Sequence, residues 1–133
     1  MTVKKRRRRK KGHYNKGTYV SLKTGMSCNH RSGWELKYMQ FLDESAEVAT
    51  WEYESFKIEY VSNKKSGRIR KYIPDFRVTF VDGTISIVEI KPSKRLVQAT
   101  VKKKIAAAEE WCALNNCKFK VVTEHELKKM GLL

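Results

Sequence analysis

The chain has no acidic residue before Glu35, and this absence directs the first reading of it. Residues 1 to 16 hold nine Lys or Arg side chains with nothing to balance them, and the whole chain of 133 residues has a formal net charge of +15. So large an excess of one sign makes a polyanion the leading partner class, with nucleic acid first. Long apolar runs are also missing. None approaches the roughly 18 to 20 residues needed to span a bilayer, and the N-terminus lacks the apolar stretch of a secretory signal. A cytoplasmic protein without a membrane partner is expected. Cysteine is sparse: Cys28, Cys112 and Cys117 are too few for a disulfide scaffold, and no CxxC or HxxxH spacing supports a zinc site. Reduced thiols follow. There is no internal repeat, Gly-rich phosphate loop or nucleophile elbow, and His13, His30 and His125 share no ligand spacing.

What is present suffices for one core, since 41% of residues are hydrophobic and 11% aromatic. The run Lys4, Lys5, Arg6, Arg7, Arg8, Arg9, Lys10, Lys11 cannot fold alone, because like charges repel and nothing apolar is there to bury. Gly12, Gly17 and Gly25 extend this irregular lead to about residue 30. The chain therefore divides into a largely flexible basic arm, 1–29, and a folded domain, 30–133. The arm either neutralises phosphates or merely keeps the chain soluble, and in so basic a protein the first is preferred.

"SGWELKYMQFLDE" has helical periodicity from Ser32 to about Glu44, with Trp34, Tyr38, Phe41 and Leu42 on one side. At about 100° per residue, Glu35 falls between Leu42 and Met39, inside the apolar arc. Ser32-x-x-Glu35 also fits a capping box, so an inward functional carboxylate and a local cap are both open. "ATWEYESFKIEYV" alternates as a strand with one wet face and solvated acids. "SNKKSGRIRK" is a turn at Gly67 carrying Lys64, Lys65, Arg68, Arg70 and Lys71, either a tip reaching a phosphate backbone or an edge kept soluble. "LVQATVKKKIAAAEEWCALNN" predicts a helix of about five turns whose start bears Lys102, Lys103 and Lys104. A short strand and a short helix with a Thr123-x-x-Glu126 capping box close the chain.

Residues 72–92, "YIPDFRVTFVDGTISIVEIKP", read as two apolar strands, yet they carry Asp75, Glu89 and Lys91. Glu89 and Lys91 share a face about 7 Å apart. A two-residue Asp82-Gly83 turn would send Asp75 to the opposite face. A three-residue Val81-Asp82-Gly83 loop, with Gly83 left-handed, pairs position 75 with 89 and also collects Phe76, Val78, Phe80, Val88 and Ile90 on one apolar face. The second register is chosen here. Two adjacent carboxylates are costly unless a cation sits between them, and hard oxygen ligands suit Mg²⁺ or Mn²⁺. The competing reading is an Asp75 to Lys91 salt bridge at a wet surface.

Asp75 after Pro74, followed by Glu89-Ile90-Lys91 after an apolar strand, resembles the PD-(D/E)XK nuclease motif, and the order of elements is similar to the restriction-endonuclease-like core. Within that superfamily, "RSGWELKYMQFLD", "YIPDFRV", "VEIKP" and "KFKVVTEHEL" look most like TnsA-type transposon endonucleases and phage head completion nucleases. The resemblance implies an α/β fold with a mixed central sheet flanked by helices in αβββαβ order. It implies Asp75, Glu89 and the Ile90 carbonyl as metal ligands, Lys91 as the residue positioning water, and Glu35 as the carboxylate that completes the site or binds a second ion.

The expected function is a Mg²⁺-dependent DNA endonuclease, with Mn²⁺ as substitute, acting alone, as a homodimer, or with a phage or transposition protein. The alternatives are a junction resolvase and a non-catalytic DNA-binding or assembly protein on the same fold. Removing residues 1 to 11 is expected to weaken duplex binding and to flatten its log–log salt dependence by roughly 0.9 for each phosphate that the arm no longer neutralises. Unchanged affinity in a low-salt titration refutes the arm's role.

Overall fold

The computed structural model describes residues 16–133, so the run from Lys4 to Lys11 lies outside the described residues. Strands β1 (Gly17–Val20) and β2 (Ser27–His30) form an antiparallel hairpin ahead of helix α1 (Gly33–Glu44). There follow β3 (Val48–Tyr53), β4 (Ile58–Asn63), β5 (Arg68–Tyr72), β6 (Phe76–Phe80), β7 (Ile85–Ile90), a 3-10 turn (Ser93–Arg95), helix α2 (Ala99–Leu114), β8 (Lys118–Val122) and helix α3 (Glu124–Lys129). Among the described residues no helix is long and apolar enough to cross a membrane.

The central sheet runs β3-β6-β7-β8. Antiparallel pairing joins β3 to β6 and β6 to β7, whereas α2 supplies the long crossover that lets β8 lie parallel to β7. One face carries Phe76, Val78, Val88 and Ile90 against Tyr38, Met39 and Leu42 of α1 and Leu127 of α3. On the other side a second cluster joins Ala108 of α2 to Ile58, Tyr60 and Tyr72 of the β4–β5 hairpin. Helices on both faces of a mixed sheet make this the α/β, restriction-endonuclease-like core. The apolar set expected of the β6–β7 hairpin is the one that packs on α1, and Phe80 joins it partly buried.

Three readings of the sequence need correction. Residues 17–30 are not irregular: the β1–β2 hairpin is ordered because its turn is tied to α1. Glycine at 17 lets the strand approach His30, whose ring lies 2.9 Å from where a Cβ would stand. The segment 49–61 is two strands in two sheets rather than one. Glu54 takes a left-handed φ of 49° and donates its N–H to Asp75 O at 2.8 Å, which turns the chain out of the central sheet to pair β4 with β5. The long helix begins at Ala99, because residues 93–95 form a separate 3-10 turn pinned by Glu124, which accepts from Ser93 N and Oγ. The Thr123–Glu126 capping box of α3 forms as expected.

Asp43, near the end of α1, was not singled out by any motif and holds the amino-terminal half together. Its carboxylate accepts from Tyr19 OH (2.6 Å), Ser21 Oγ (2.6 Å), Leu22 N (3.1 Å) and Trp51 Nε1 (2.8 Å). Beside it, Lys23 Nζ donates to the carbonyls of Leu42, Ser45 and Val48, satisfying an acceptor that the helix end leaves open and tying it to the start of β3. Burial acts to raise the Asp43 pKa, but the bonds from Ser21, Tyr19, Trp51 and Leu22 outweigh it and hold the carboxyl below its ordinary value. Asp43→Asn is expected to cost about 1–3 kcal/mol in urea unfolding at neutral pH. Because the folded pKa is depressed, the wild-type contribution is present above the unfolded pKa of about 3.9 and is lost as pH falls through the folded value. The variant is expected to lack that part of the acid dependence. Equal stability of the two proteins at pH 7 contradicts the hub.

Candidate active site

The β6–β7 ladder pairs Phe76 with Val88, Arg77 with Ile87, Val78 with Ser86 and Thr79 with Ile85. Phe80 and Thr84 close a loop of Val81, Asp82 and Gly83, with Gly83 at φ 89°. This is the three-residue loop and register chosen from the sequence, and its continuation sets Asp75 opposite Glu89.

The pair is buried and cross-linked. Asp75 and Glu89 are 8% and 6% exposed. Asp75 Oδ2 accepts from Ile90 N at 2.8 Å, and Glu89 Oε1 accepts from Asp75 N at 3.3 Å and from Tyr72 OH at 2.7 Å. Lys91 Nζ stands 3.2 Å from Glu89 Oε2. The cation of the motif therefore pairs along its own strand with Glu89, in a buried setting, and not with Asp75 at a wet surface. Pro74 has a further effect. The ladder's next hydrogen-bonded pair would be 74 with 90, and proline has no N–H to give the Ile90 carbonyl.

Burial, first, and then the Glu89 and Glu35 charges push the Asp75 carboxyl well above the ordinary carboxylate range, against the opposing pull of Ile90 N–H and Lys91. Burial and the Glu89 carboxylate likewise push the Tyr72 hydroxyl up, keeping it a donor.

Glu35 is 8% exposed and lines the same cavity from α1. The two roles weighed for it are not exclusive. Ser32 Oγ caps Glu35 N at 3.1 Å, and Glu35 Oε1 reaches back to Arg31 N (2.9 Å) while also accepting from Tyr53 OH (2.6 Å). Both carboxylate bonds fall on Oε1, so one side chain braces its helix start and still faces the cavity. Among the described residues, no three His, Cys, Asp or Glu side chains are gathered closely enough to hold a metal ion among themselves. Asp75 and Glu89 form a pair, and Glu35 joins the same cavity from α1.

The cavity measures about 400 Å³. Its acids, Glu35, Asp75, Glu89 and the half-buried Glu54, form the floor, while exposed Arg31, Lys71 and Arg95, with half-buried Lys91 and Lys104, stand around them. Lys104 Nζ lies over the Tyr72 ring, 5.9 Å from its centroid. Among the described basic residues expected to bind DNA, only Lys71 and Lys104 border this cavity. Arg68, Arg70 and Lys103 border a separate groove, Lys64 and Lys102 a third, and Lys65 is exposed on the turn. The sequence reading missed Arg31, Glu54, Tyr53, Tyr72 and Arg95. Only Tyr72 carried a signal, being three residues before Asp75 and on an otherwise exposed strand.

Comparison with known families matches residues 45–124 to the family described as TnsA-like endonuclease N terminal. That span includes Asp75, Glu89 and Lys91 and starts after Glu35. No curated protein matches the chain.

A pair of buried carboxylates side by side should weaken the fold that holds it. Asp75→Asn keeps an acceptor for Ile90 N–H and removes one charge, so in chelator it is expected to raise Tm by a few degrees, or about 1 kcal/mol. A lower Tm than wild type would show that neighbouring donors already cancel the repulsion.

Proposed function

The chain belongs to the TnsA-like endonuclease family, and from that premise we propose that it is a Mg²⁺-dependent DNA endonuclease hydrolysing phosphodiester bonds in the cavity floored by Asp75 and Glu89. The observation that carries this reading is the buried pairing of the two carboxylates beside Lys91. A module that only bound DNA would have no use for an arrangement that raises the Asp75 pKa and opposes the charge of its ligand.

The donor set fits a hard divalent cation. It offers two carboxylates and the Ile90 carbonyl, which the ladder leaves without a donor, and it supplies no soft or imidazole ligand. Mg²⁺, or Mn²⁺ in its place, would supply Lewis-acid stabilisation of charge on the phosphate and the attacking water. Asp75 and Glu89 would hold it, with Ile90 O as third ligand and Glu35 completing the acidic floor from the helix side.

The protein's own groups do the rest. Lys91 spends one of three ammonium donors on Glu89, leaving two to orient water and to meet charge developing on the phosphate. Tyr72 and Asp75 N–H hold Glu89 Oε1, so its carboxylate plane is set before substrate arrives. Arg31, Lys71, Arg95 and Lys104 surround the acidic floor with cations suited to the flanking backbone. The basic arm, residues 1–29 in the sequence division, would add contacts that do not depend on sequence.

Asp75→Ala is expected to reduce Mg²⁺-dependent nicking of supercoiled plasmid by about a thousandfold or more, with duplex affinity in chelator nearly intact. Nicking retained by the purified variant ends the assignment.

A further inference from the structure

A groove of about 330 Å³ lies between the β4–β5 hairpin and the start of α2, apart from the carboxylate cavity. Its chemistry is different. Arg68, Arg70 and Lys103 line it together with Ser62 and Thr100, and none of its lining residues is acidic. Arg68 and Arg70 alternate with Ile69 and Lys71 along β5, so the two guanidinium stems leave one face about 7 Å apart. Both are exposed. Lys103 Nζ donates to Ser62 O at 2.6 Å, which ties the hairpin to the helix and leaves two further donors on the ammonium. Three cations around one concavity, without a carboxylate among its lining residues to neutralise them, match a tetrahedral anion approached by Arg forks.

The groove is also placed for the same substrate. Lys71, the residue after Arg70, borders the carboxylate cavity, so β5 runs from one concavity to the other over roughly 10 Å of strand. We propose that the groove is a second phosphate subsite, in which Arg68 and Arg70 together hold one backbone phosphate of the DNA whose reacting phosphate lies over Asp75 and Glu89. The proposal rests on the endonuclease reading for the identity of its ligand.

The test is fluorescence anisotropy of a labelled duplex oligonucleotide in EDTA, titrated across a salt series with the full chain. If both arginines grip one phosphate, Arg68→Gln and Arg70→Gln singly keep most of the log–log salt slope, because the remaining guanidinium still neutralises that phosphate, whereas the double variant lowers it by about one, with affinity falling roughly tenfold. Arg70→Lys, which keeps a point charge, is expected to retain the slope. Lys128→Gln/Lys129→Gln, removing the same charge from α3, should change neither quantity. Unchanged affinity and slope in the double variant overturn the subsite, as does an equal loss in the α3 control. A slope change of two in the double variant means two separate phosphates and overturns the shared grip. Wild-type protein that binds in this way yet nicks no plasmid in Mg²⁺ leaves the subsite standing and removes the endonuclease reading.

Discussion

Val81, Asp82 and Gly83 connect β6 to β7, and with three residues in that loop Asp75 stands across from Glu89. Removing one residue would shift the pairing and turn Asp75 toward the Phe76 side of the sheet, into the apolar cluster against α1. Gly83, at φ 89°, takes the left-handed step that the loop needs and that a side chain would resist. Both the α1-facing core and the acidic floor follow from this one register. The core and the site are two faces of the same hairpin.

Keeping those charges in place falls to groups that are themselves part of the fold. Tyr72 lies in the second core and donates to Glu89, and the N–H groups of Asp75 and Ile90 each serve a carboxylate of the pair. Pro74 ends the ladder one residue before it would consume the Ile90 carbonyl. Glu54, in a left-handed conformation, takes the chain away from the central sheet at the edge of the cavity and bonds Asp75 O. Strain and buried charge thus concentrate around Asp75, where a functional site is the usual reason to retain them.

Local patterns were legible wherever both partners lie close in sequence. The α1 helix with its Ser32 cap, the α3 capping box and the β6–β7 hairpin all depend on contacts within about 15 residues, and each follows from spacing and turn chemistry. The β1–β2 hairpin was not legible, because Gly and Asn in that stretch signal irregular chain. Its order comes from bonds that Asp43 and Lys23 make between the hairpin and the end of α1, distant in sequence. The break at Glu54 was hidden for a similar reason, since the alternation of polar and apolar residues continues through it.

That Asp75, Glu89 and Lys91 share a face follows from the residues alone, given the strand period of two and a loop length chosen to bury one apolar set. Whether that face was wet did not follow. Packing settled it, because α2 and the β4–β5 hairpin cover the other side of the sheet and leave Asp75 and Glu89 less than a tenth exposed. Packing also settled which cations surround them: Arg31 and Arg95 arrive from segments far apart in the chain, while Arg68, Arg70 and Lys103, equally basic in sequence, gather elsewhere. Charge is countable along a chain, but its direction is set by the elements that bring distant segments together.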